Sequence, residues 1–189
     1  MTAIAHIKES IEVKQLALEL MPEVIEATGN VMIESLKAGN KVLICGNGGS
    51  AADAQHFAAE LMNRFETERA PLPAVALTTD SSNLTSIAND YSYDEVFSKQ
   101  VMALGNAGDI LIAISTSGNS KSINLAIEEA LKKGMIVLAL TGETGGKMRE
   151  IESQSLHLVN VPSKRTARVQ EVHILVIHIW CAMIDKVFE

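Results

Sequence analysis

The chain has 189 residues and a formal net charge of -7, and only 4% of its residues are aromatic. This length suits one domain, residues 1–189, with room for a real hydrophobic core. Because duplex binding needs a basic stripe and single-strand binding needs stacking aromatic rings, the charge and composition argue against a nucleic-acid partner.

The sequence lacks the patterns of export and membrane insertion. Charged residues interrupt positions 8–14, so a secretory signal is not expected. The apolar run 174–184 is too short to cross a bilayer and is broken by His178. Cys45 and Cys181 form neither a disulfide pattern nor a metal-binding spacing. We therefore expect a cytoplasmic protein with no membrane partner.

Two helices are predicted at the start of the chain, in residues 4–36. Ile4, Ile7 and Ile11 fall on one helical stripe, and Met21-Pro22 separates this helix from the next. We expect residues 1–38 to form a helical oligomerisation segment within the single domain.

Apolar strands then alternate with helices. The predicted strands are 41–45, 74–77, 109–114, 135–140 and an edge strand at 156–159, and the predicted helices are 50–64, 81–89, 94–104, 119–133 and 165–187. This alternation is typical of an α/β domain with three layers and a doubly wound parallel sheet. Ligands of such sheets bind at the carboxyl ends of the strands.

The last helix is apolar on nearly every side from Ile174 onward. Such a helix is covered either by a second subunit or by the rest of its own chain as a central helix. Periodicity favours neither, and both interpretations stay open.

Two strand ends carry residues suited to an anion. The first is Gly46-Asn47-Gly48-Gly49-Ser50, which matches neither nucleotide-binding glycine motif. The second, 115–120, contains four hydroxyl side chains, whereas one helix needs only one N-cap. Hydroxyls and free N–H groups at a helix start bind phosphate without a lysine. The two loops predict one phosphorylated ligand held between them.

An anionic ligand on an acidic chain makes nearby cations important, although each alone is more often a solvated surface residue. The candidates are Arg64, Arg69, Lys164, Arg165 and Arg168.

Two pairs of polar residues have helical spacing. His56 and Glu60 are four apart and share a face, where they can meet a metal ion or substrate, or form only a surface hydrogen bond. Gln170 and His178 are eight apart and lie on one broad face. His173 competes with His178, and a satisfied core histidine is the alternative for His178.

Together, the motifs 45–50, 56–60, 114–120 and 170–173 with His178 resemble the sugar isomerase (SIS) fold, and within it the phosphoheptose isomerase family, over essentially the whole chain. The resemblance implies conversion of sedoheptulose 7-phosphate to D-glycero-D-manno-heptose 7-phosphate, a step in heptose synthesis for the lipopolysaccharide core. It also implies a cytoplasmic homotetramer with one zinc ion per subunit.

The resemblance assigns roles residue by residue. Glu60 is the base, and His178 is its acid/base partner. The implied metal ligands are His56, Glu60, Gln170 and His178. The implied substrate-binding residues are Asn47, Gly48, Gly49, Ser50, Glu60, Asn89, Asp90, Ser115, Thr116, Ser117, Ser120 and Gln170. Some family members carry an aspartate where Ala167 stands here, which leaves the acid/base inventory open.

Two non-catalytic alternatives remain. Residues 63–69 and 87–90 also resemble the DnaA initiator-associating protein, a SIS-fold tetramer that binds a replication initiator. In that relative, the positions of Gly49, Glu60, Ser117 and His178 carry other residues, whereas here all four are of the enzyme type. A SIS module that senses a sugar phosphate would explain the loops but would leave Glu60 and His178 without a task.

Overall fold

The computed structural model describes residues 2–189. Its seven α-helices within that range are α1 (Ala3–Leu20), α2 (Pro22–Lys37), α3 (Gly49–Met62), α4 (Ser81–Asp90), α5 (Ser98–Leu104), α6 (Lys121–Lys132) and α7 (Thr166–Phe188). The five strands are β1 (Val42–Gly46), β2 (Ala74–Ala76), β3 (Ile110–Ile114), β4 (Ile136–Gly142) and β5 (Leu156–Val161). Short 3-10 turns span Tyr93–Glu95 and Gly146–Glu150.

The five strands form one parallel sheet in the order β2-β1-β3-β4-β5. Chain direction across the sheet reverses between β1 and β3, where Gly46 lies opposite Ile114. Such a reversal leaves a crevice at the carboxyl ends of the two strands. The predicted doubly wound parallel sheet, with β5 at its edge, is confirmed.

Two apolar cores cover the two faces of the sheet. Ile44 and Ile112 pack into the core formed with α1, α2, α3 and α7. Leu43 and Leu111, their neighbours along the same strands, pack into the core formed with α5 and α6. Because successive strand side chains point to opposite faces, a continuous apolar strand serves both cores. The three layers follow directly from these strands.

Two predicted helices begin later than expected. In place of a helix from residue 94, the chain makes a 3-10 turn, and α5 starts only at Ser98 after two consecutive buried residues, Val96 and Phe97. The helix predicted from Asn119 starts at Lys121, because the backbone of Ser120 is extended, with φ -66° and ψ 112°.

Helix α7 is buried mainly within its own chain. It packs against α1, α2 and α3 on one side and against the sheet on the other. Trp180 is fully buried, and its indole N–H donates to the Ile25 carbonyl at 3.0 Å. Leu175 and Val187 remain exposed. Of the two interpretations, the central helix accounts for most of this burial.

Helix α1 carries the most exposed apolar side chains of the N-terminal region: Ile4, Ile7, Ile11, Leu16, Leu18 and Leu20. Large apolar side chains clustered in solvent are typical of a surface that binds another protein. The oligomerisation role of residues 1–38 stays a prediction. Nowhere in residues 2–189 is a helix long and apolar enough to cross a membrane.

Candidate active site

The two predicted loops lie side by side because β1 and β3 are neighbours. The Asn47 side chain links the first loop to the start of α6, just after the second loop, and donates through Nδ2 to the Ser122 hydroxyl at 3.0 Å. Its Oδ1 accepts a hydrogen bond from the Tyr93 hydroxyl at 2.8 Å. The amide is therefore held at both ends, with one N–H and one lone pair still available to a ligand. The expectation that the two loops lie side by side at one sheet edge is confirmed, and the ligand held between them stays a prediction.

The first loop turns sharply from β1 into α3. Gly48 has a positive φ of 57°, which favours glycine, and the buried Ser50 donates its N–H to the Asn47 carbonyl. A Cβ on Gly49 would lie 2.5 Å from Gln170 Nε2. Glycine at position 49 thus allows the side chain of Gln170, on α7, to lie against this loop.

In the second loop, the hydroxyls are not used to cap α6. Ser115 is buried and donates to the Ser120 hydroxyl at 3.1 Å, while Ser120, at the N-cap position, makes no side-chain cap bond. Ser117 accepts a hydrogen bond from the Asn119 N–H within the loop. Thr116 and Ser120 are half-buried, and Ser117 is exposed. This leaves hydroxyl groups at the start of a helix, an arrangement suited to a phosphate.

A second cluster forms where α3 approaches α7. His56 Nε2 lies 3.2 Å from Glu60 Oε1 and 3.1 Å from His178 Nε2. The Phe65 ring stacks on His178 with 5.5 Å between centroids. Three of the four predicted metal ligands and both predicted catalytic residues therefore meet at one place.

The donor types of this cluster fit a zinc ion. Zinc binds imidazole nitrogen and carboxylate oxygen, and the facing Nε2 atoms of His56 and His178 satisfy each other only when one of them carries a proton. The fourth predicted ligand, Gln170, lies against Gly49. In the described part of the chain, no three His, Cys, Asp or Glu side chains adopt the geometry of a metal site. Zinc binding stays a prediction.

Asn89 and Asp90 lie at the end of α4, a helix with no buried residue. Both are exposed, and Asn89 Nδ2 donates to Asp90 Oδ1 at 2.8 Å. Within residues 2–189, no side-chain hydrogen bond or ion pair joins either residue to the two loops. Their substrate-binding role stays a prediction.

The competition between two histidines of α7 is decided by burial. His173 is completely buried, with Nε2 3.0 Å from the Thr141 carbonyl, and burial lowers its pKa to about 4. His178 is half-buried and reaches the cluster with His56. His173 is thus the neutral core histidine, and the core interpretation of His178 is wrong.

The candidate cations are paired with acidic residues. Arg64 pairs with Glu68 on the surface, Lys164 with Glu143, and both Arg165 and Arg168 with Glu9. The side chain of Arg69 is fully buried against Asp185, and Arg168 is only 8% exposed. The expectation that each is a solvated surface residue is therefore wrong for Arg69 and Arg168.

Two residues at the site were missed by the sequence interpretation, namely Tyr93 and Phe65. Tyr93 bonds to a loop 46 positions earlier, and no local pattern indicates that contact. Phe65 lies inside the motif 63–69, which was interpreted only as a resemblance to a second protein. The signal for its role at the site was one aromatic ring placed just after the helix that carries His56 and Glu60.

Comparison with known proteins agrees with the fold and the motifs. Residues 5–142 match the SIS domain family. The phosphoheptose isomerase of Alteromonas mediterranea is 58% identical over 181 residues, covering 96% of this chain and 91% of that protein. The chain belongs to the phosphoheptose isomerase family of SIS-domain proteins. The match to this relative covers nearly the whole chain.

Solved structures of this family share the fold closely. Phosphoheptose isomerase GmhA from Neisseria gonorrhoeae superposes with a TM-score of 0.92 at 51% identity, covering 97% of this chain and 96% of that one. A phosphoheptose isomerase from Francisella tularensis gives a TM-score of 0.95 at 42% identity, covering 98% and 100%. The doubly wound sheet with its N-terminal helices and α7 is thus the family architecture.

The buried His173 makes stability depend on pH. Its folded pKa of about 4 lies below the ordinary value of 6.5, so the unfolded chain binds more protons between these values. Stability should therefore fall as pH decreases through this window, with His173 contributing about 2 kcal/mol of the loss by pH 5. Urea unfolding at pH 7 and pH 5 measures the loss.

The matched variant is His173→Gln, which keeps a donor for the Thr141 carbonyl but cannot titrate. It should lose less stability than the unsubstituted protein between pH 7 and pH 5. An equal loss in both proteins would show that other groups cause the acid sensitivity.

Proposed function

We propose that this protein is a sugar-phosphate isomerase that interconverts sedoheptulose 7-phosphate and D-glycero-D-manno-heptose 7-phosphate. The observation that carries the proposal is the meeting of Glu60, His56 and His178 in a protein whose paired strand ends form a hydroxyl-rich crevice. The family relatives are named phosphoheptose isomerase, which supports a reaction of this class.

Two helices connect the crevice to the cluster. α3 begins at Gly49 in the first loop and carries Glu60 three turns later. α7 places Gln170 against Gly49 and His178 eight residues further on, a distance of about 12 Å along the helix axis. Both helices thus run from the loops to the cluster, and the substrate would extend along them, with its phosphate at the loops and its reacting carbons at the cluster.

The chemistry requires proton transfer at two kinds of atom. In the ketose-to-aldose direction, the Glu60 carboxylate removes a proton from C1 and returns it to C2 of the resulting enediol. His178 transfers the proton between the two oxygens of these carbons. His56, within hydrogen-bonding distance of both side chains, orients them.

The loops anchor the substrate without taking part in proton transfer. The hydroxyls of Thr116, Ser117 and Ser120, together with N–H groups at the starts of α3 and α6, bind the phosphate. Helix dipoles favour negative charge at these positions, which offsets the acidic net charge of the chain.

One zinc ion per subunit completes the proposed site. His56, Glu60, Gln170 and His178 would hold it. When bound, zinc would polarise and orient the carbonyl and hydroxyl oxygens of the sugar.

The proposed assembly is a cytoplasmic homotetramer. The exposed isoleucines of α1 provide an apolar surface for association, and two buried, unpaired thiols suit a reducing compartment. The heptose product implies a role in lipopolysaccharide core synthesis.

The internal contacts of residues 63–69 weaken the alternative that this protein binds a replication initiator. Phe65 packs on His178, and Arg69 is buried against Asp185, so internal contacts account for both side chains. A phosphate sensor remains the weaker alternative, because it would not need the Glu60 and His178 pair.

The first prediction of the isomerase proposal concerns the base. Glu60→Gln keeps the shape of the side chain but removes the carboxylate, so kcat should fall by about 10³-fold with little change in KM. Sedoheptulose 7-phosphate turnover, followed with and without zinc, measures the effect. Glu68→Gln, on the exposed Glu68, is the matched control and should retain full activity.

The two possible failures of that experiment have different meanings. Absence of turnover by the unsubstituted protein, with and without zinc, would overturn the proposed function. Normal turnover by Glu60→Gln would instead assign the base to another residue.

Tyr93 should contribute to substrate binding through Asn47. Tyr93→Phe removes one hydrogen bond, worth about 1 kcal/mol, so KM should rise about fivefold while kcat stays the same. Tyr91→Phe is the control, since the contact of Tyr91 is a Lys99 ammonium over its ring. Equal KM values for the two variants would show that Tyr93 does not orient the loop.

Association should depend on α1. Light scattering at micromolar concentration should give four times the chain mass of 20.3 kDa. The double variant Ile7→Asp, Ile11→Asp places charges on the exposed stripe and should give smaller species. A monomeric unsubstituted protein would contradict the tetramer.

A further inference from the structure

A buried ion pair lies behind the His56–Glu60–His178 cluster. Arg69 Nε donates to Asp185 Oδ1 at 2.8 Å, and the two side chains are 0% and 4% exposed. The second oxygen of Asp185 accepts the backbone N–H groups of Glu66 and Thr67 at 2.9 and 3.1 Å. The pair therefore ties α7 to the segment 63–69.

The same arginine also caps the C-terminal end of α3. Its terminal nitrogens donate to the carbonyls of Glu60 at 2.7 Å and Leu61 at 3.0 Å. The last carbonyls of a helix lack partners inside the helix, and here one guanidinium donates hydrogen bonds to two of them. One of the two carbonyls belongs to Glu60, the proposed base.

Asp185 remains ionised in this setting. Burial by itself raises the pKa of a carboxyl group, but the N–H groups of Glu66 and Thr67 and the Arg69 guanidinium together hold the pKa of Asp185 below its ordinary value. The Arg69–Asp185 bond is therefore between full charges at neutral pH.

The position of the pair along α7 connects it to the other proposed catalytic residue. Asp185 follows His178 by seven residues, which is two helical turns and therefore the same face. Phe65, in the segment held by Asp185, stacks on the His178 ring. Arg69 thus bonds to the backbone of Glu60 on one side and, through Asp185, to the helix of His178 on the other.

We propose that the Arg69–Asp185 pair is a positioning clamp that sets the separation of Glu60 and His178. The inference rests on the isomerase function proposed above, because it assigns a purpose to that separation. Arg69 and Asp185 do not touch substrate and act only through the residues they hold.

A purely structural role is the alternative. A buried ion pair alone is weak evidence for a gain in stability, since desolvation opposes the attraction, but removing one partner is strongly destabilising. Loss of activity in an unstable variant would therefore not distinguish a clamp from an ordinary core contact. A control of equal structural cost is needed.

The chain contains such a control at Asp109. This carboxylate is 3% exposed, accepts the backbone N–H groups of Lys41 and Asn106, and pairs with the Lys41 ammonium. It precedes β3, whereas the site follows the other end of that strand. Asp109 therefore makes the same types of bond as Asp185, away from the site.

The experiment compares Asp185→Asn with Asp109→Asn. Both variants should lose comparable stability in urea, because each removes a buried charge from one cation and two backbone N–H groups. Asp185→Asn should lower kcat by about 10- to 100-fold, since small displacements of catalytic groups have effects of this size. KM should change less than about threefold, and Asp109→Asn should keep normal kcat and KM.

A second measurement does not require activity. The ring protons of His178, assigned in NMR spectra with the His178→Gln variant, report the stacked Phe65 ring. Their shifts should move in Asp185→Asn and remain in place in Asp109→Asn. If the unsubstituted protein has no turnover, the function proposal fails, while this measurement still tests the clamp.

A milder variant covers the case in which Asp185→Asn does not fold. Arg69→Lys keeps the charge beside Asp185 but cannot supply all the carbonyl contacts of Glu60, Leu61 and Ala70. It should show the same fall in kcat and the same shift of the His178 signals. Unchanged kcat relative to Asp109→Asn, or unchanged His178 signals, would overturn the clamp.

Discussion

Parallel pairing of β1 with β3 is the constraint on which the site depends. In a parallel sheet, all strands end at the same edge, and at the reversal between β1 and β3 the following helices leave to opposite faces. Gly46 and Ile114 are paired at this edge, so the glycine loop and the hydroxyl loop begin side by side. Their crevice requires no insertion or extra domain.

Helix α7 connects the hydrophobic core to the candidate active site. One side buries Trp180 and a neutral His173, which fixes how the helix lies on the sheet. Its less buried side carries Gln170 against the first loop and His178 beside His56. Because interiors are closely packed and change little in volume, a helix anchored in this way holds the proposed catalytic side chain of His178 accurately.

The contacts of the His56–Glu60–His178 cluster are supported by further contacts around them. His56 contacts both Glu60 and His178, Phe65 covers the His178 ring, and the Arg69 bonds behind them hold the end of α3. Each outer contact orients the one inside it, as supporting groups do around metal and catalytic sites in general. These residues lie on α3, on α7 and in the short segment 63–69, which limits how far their side chains can move.

The sequence by itself determined the alternation of strands and helices, both loops and the pairing of His56 with Glu60, because these depend on local periodicity. Only the tertiary structure showed which histidine of α7 is buried, namely His173 and not His178. It also showed that Arg69 is buried against Asp185 and that Gln170 lies against Gly49. It also covered α7 within its own chain and, among residues 2–189, paired the side chains of Asn89 and Asp90 with each other and not with the loops. The physical reason is that burial and the partners of a polar side chain are set by contacts between distant positions, which no local pattern encodes.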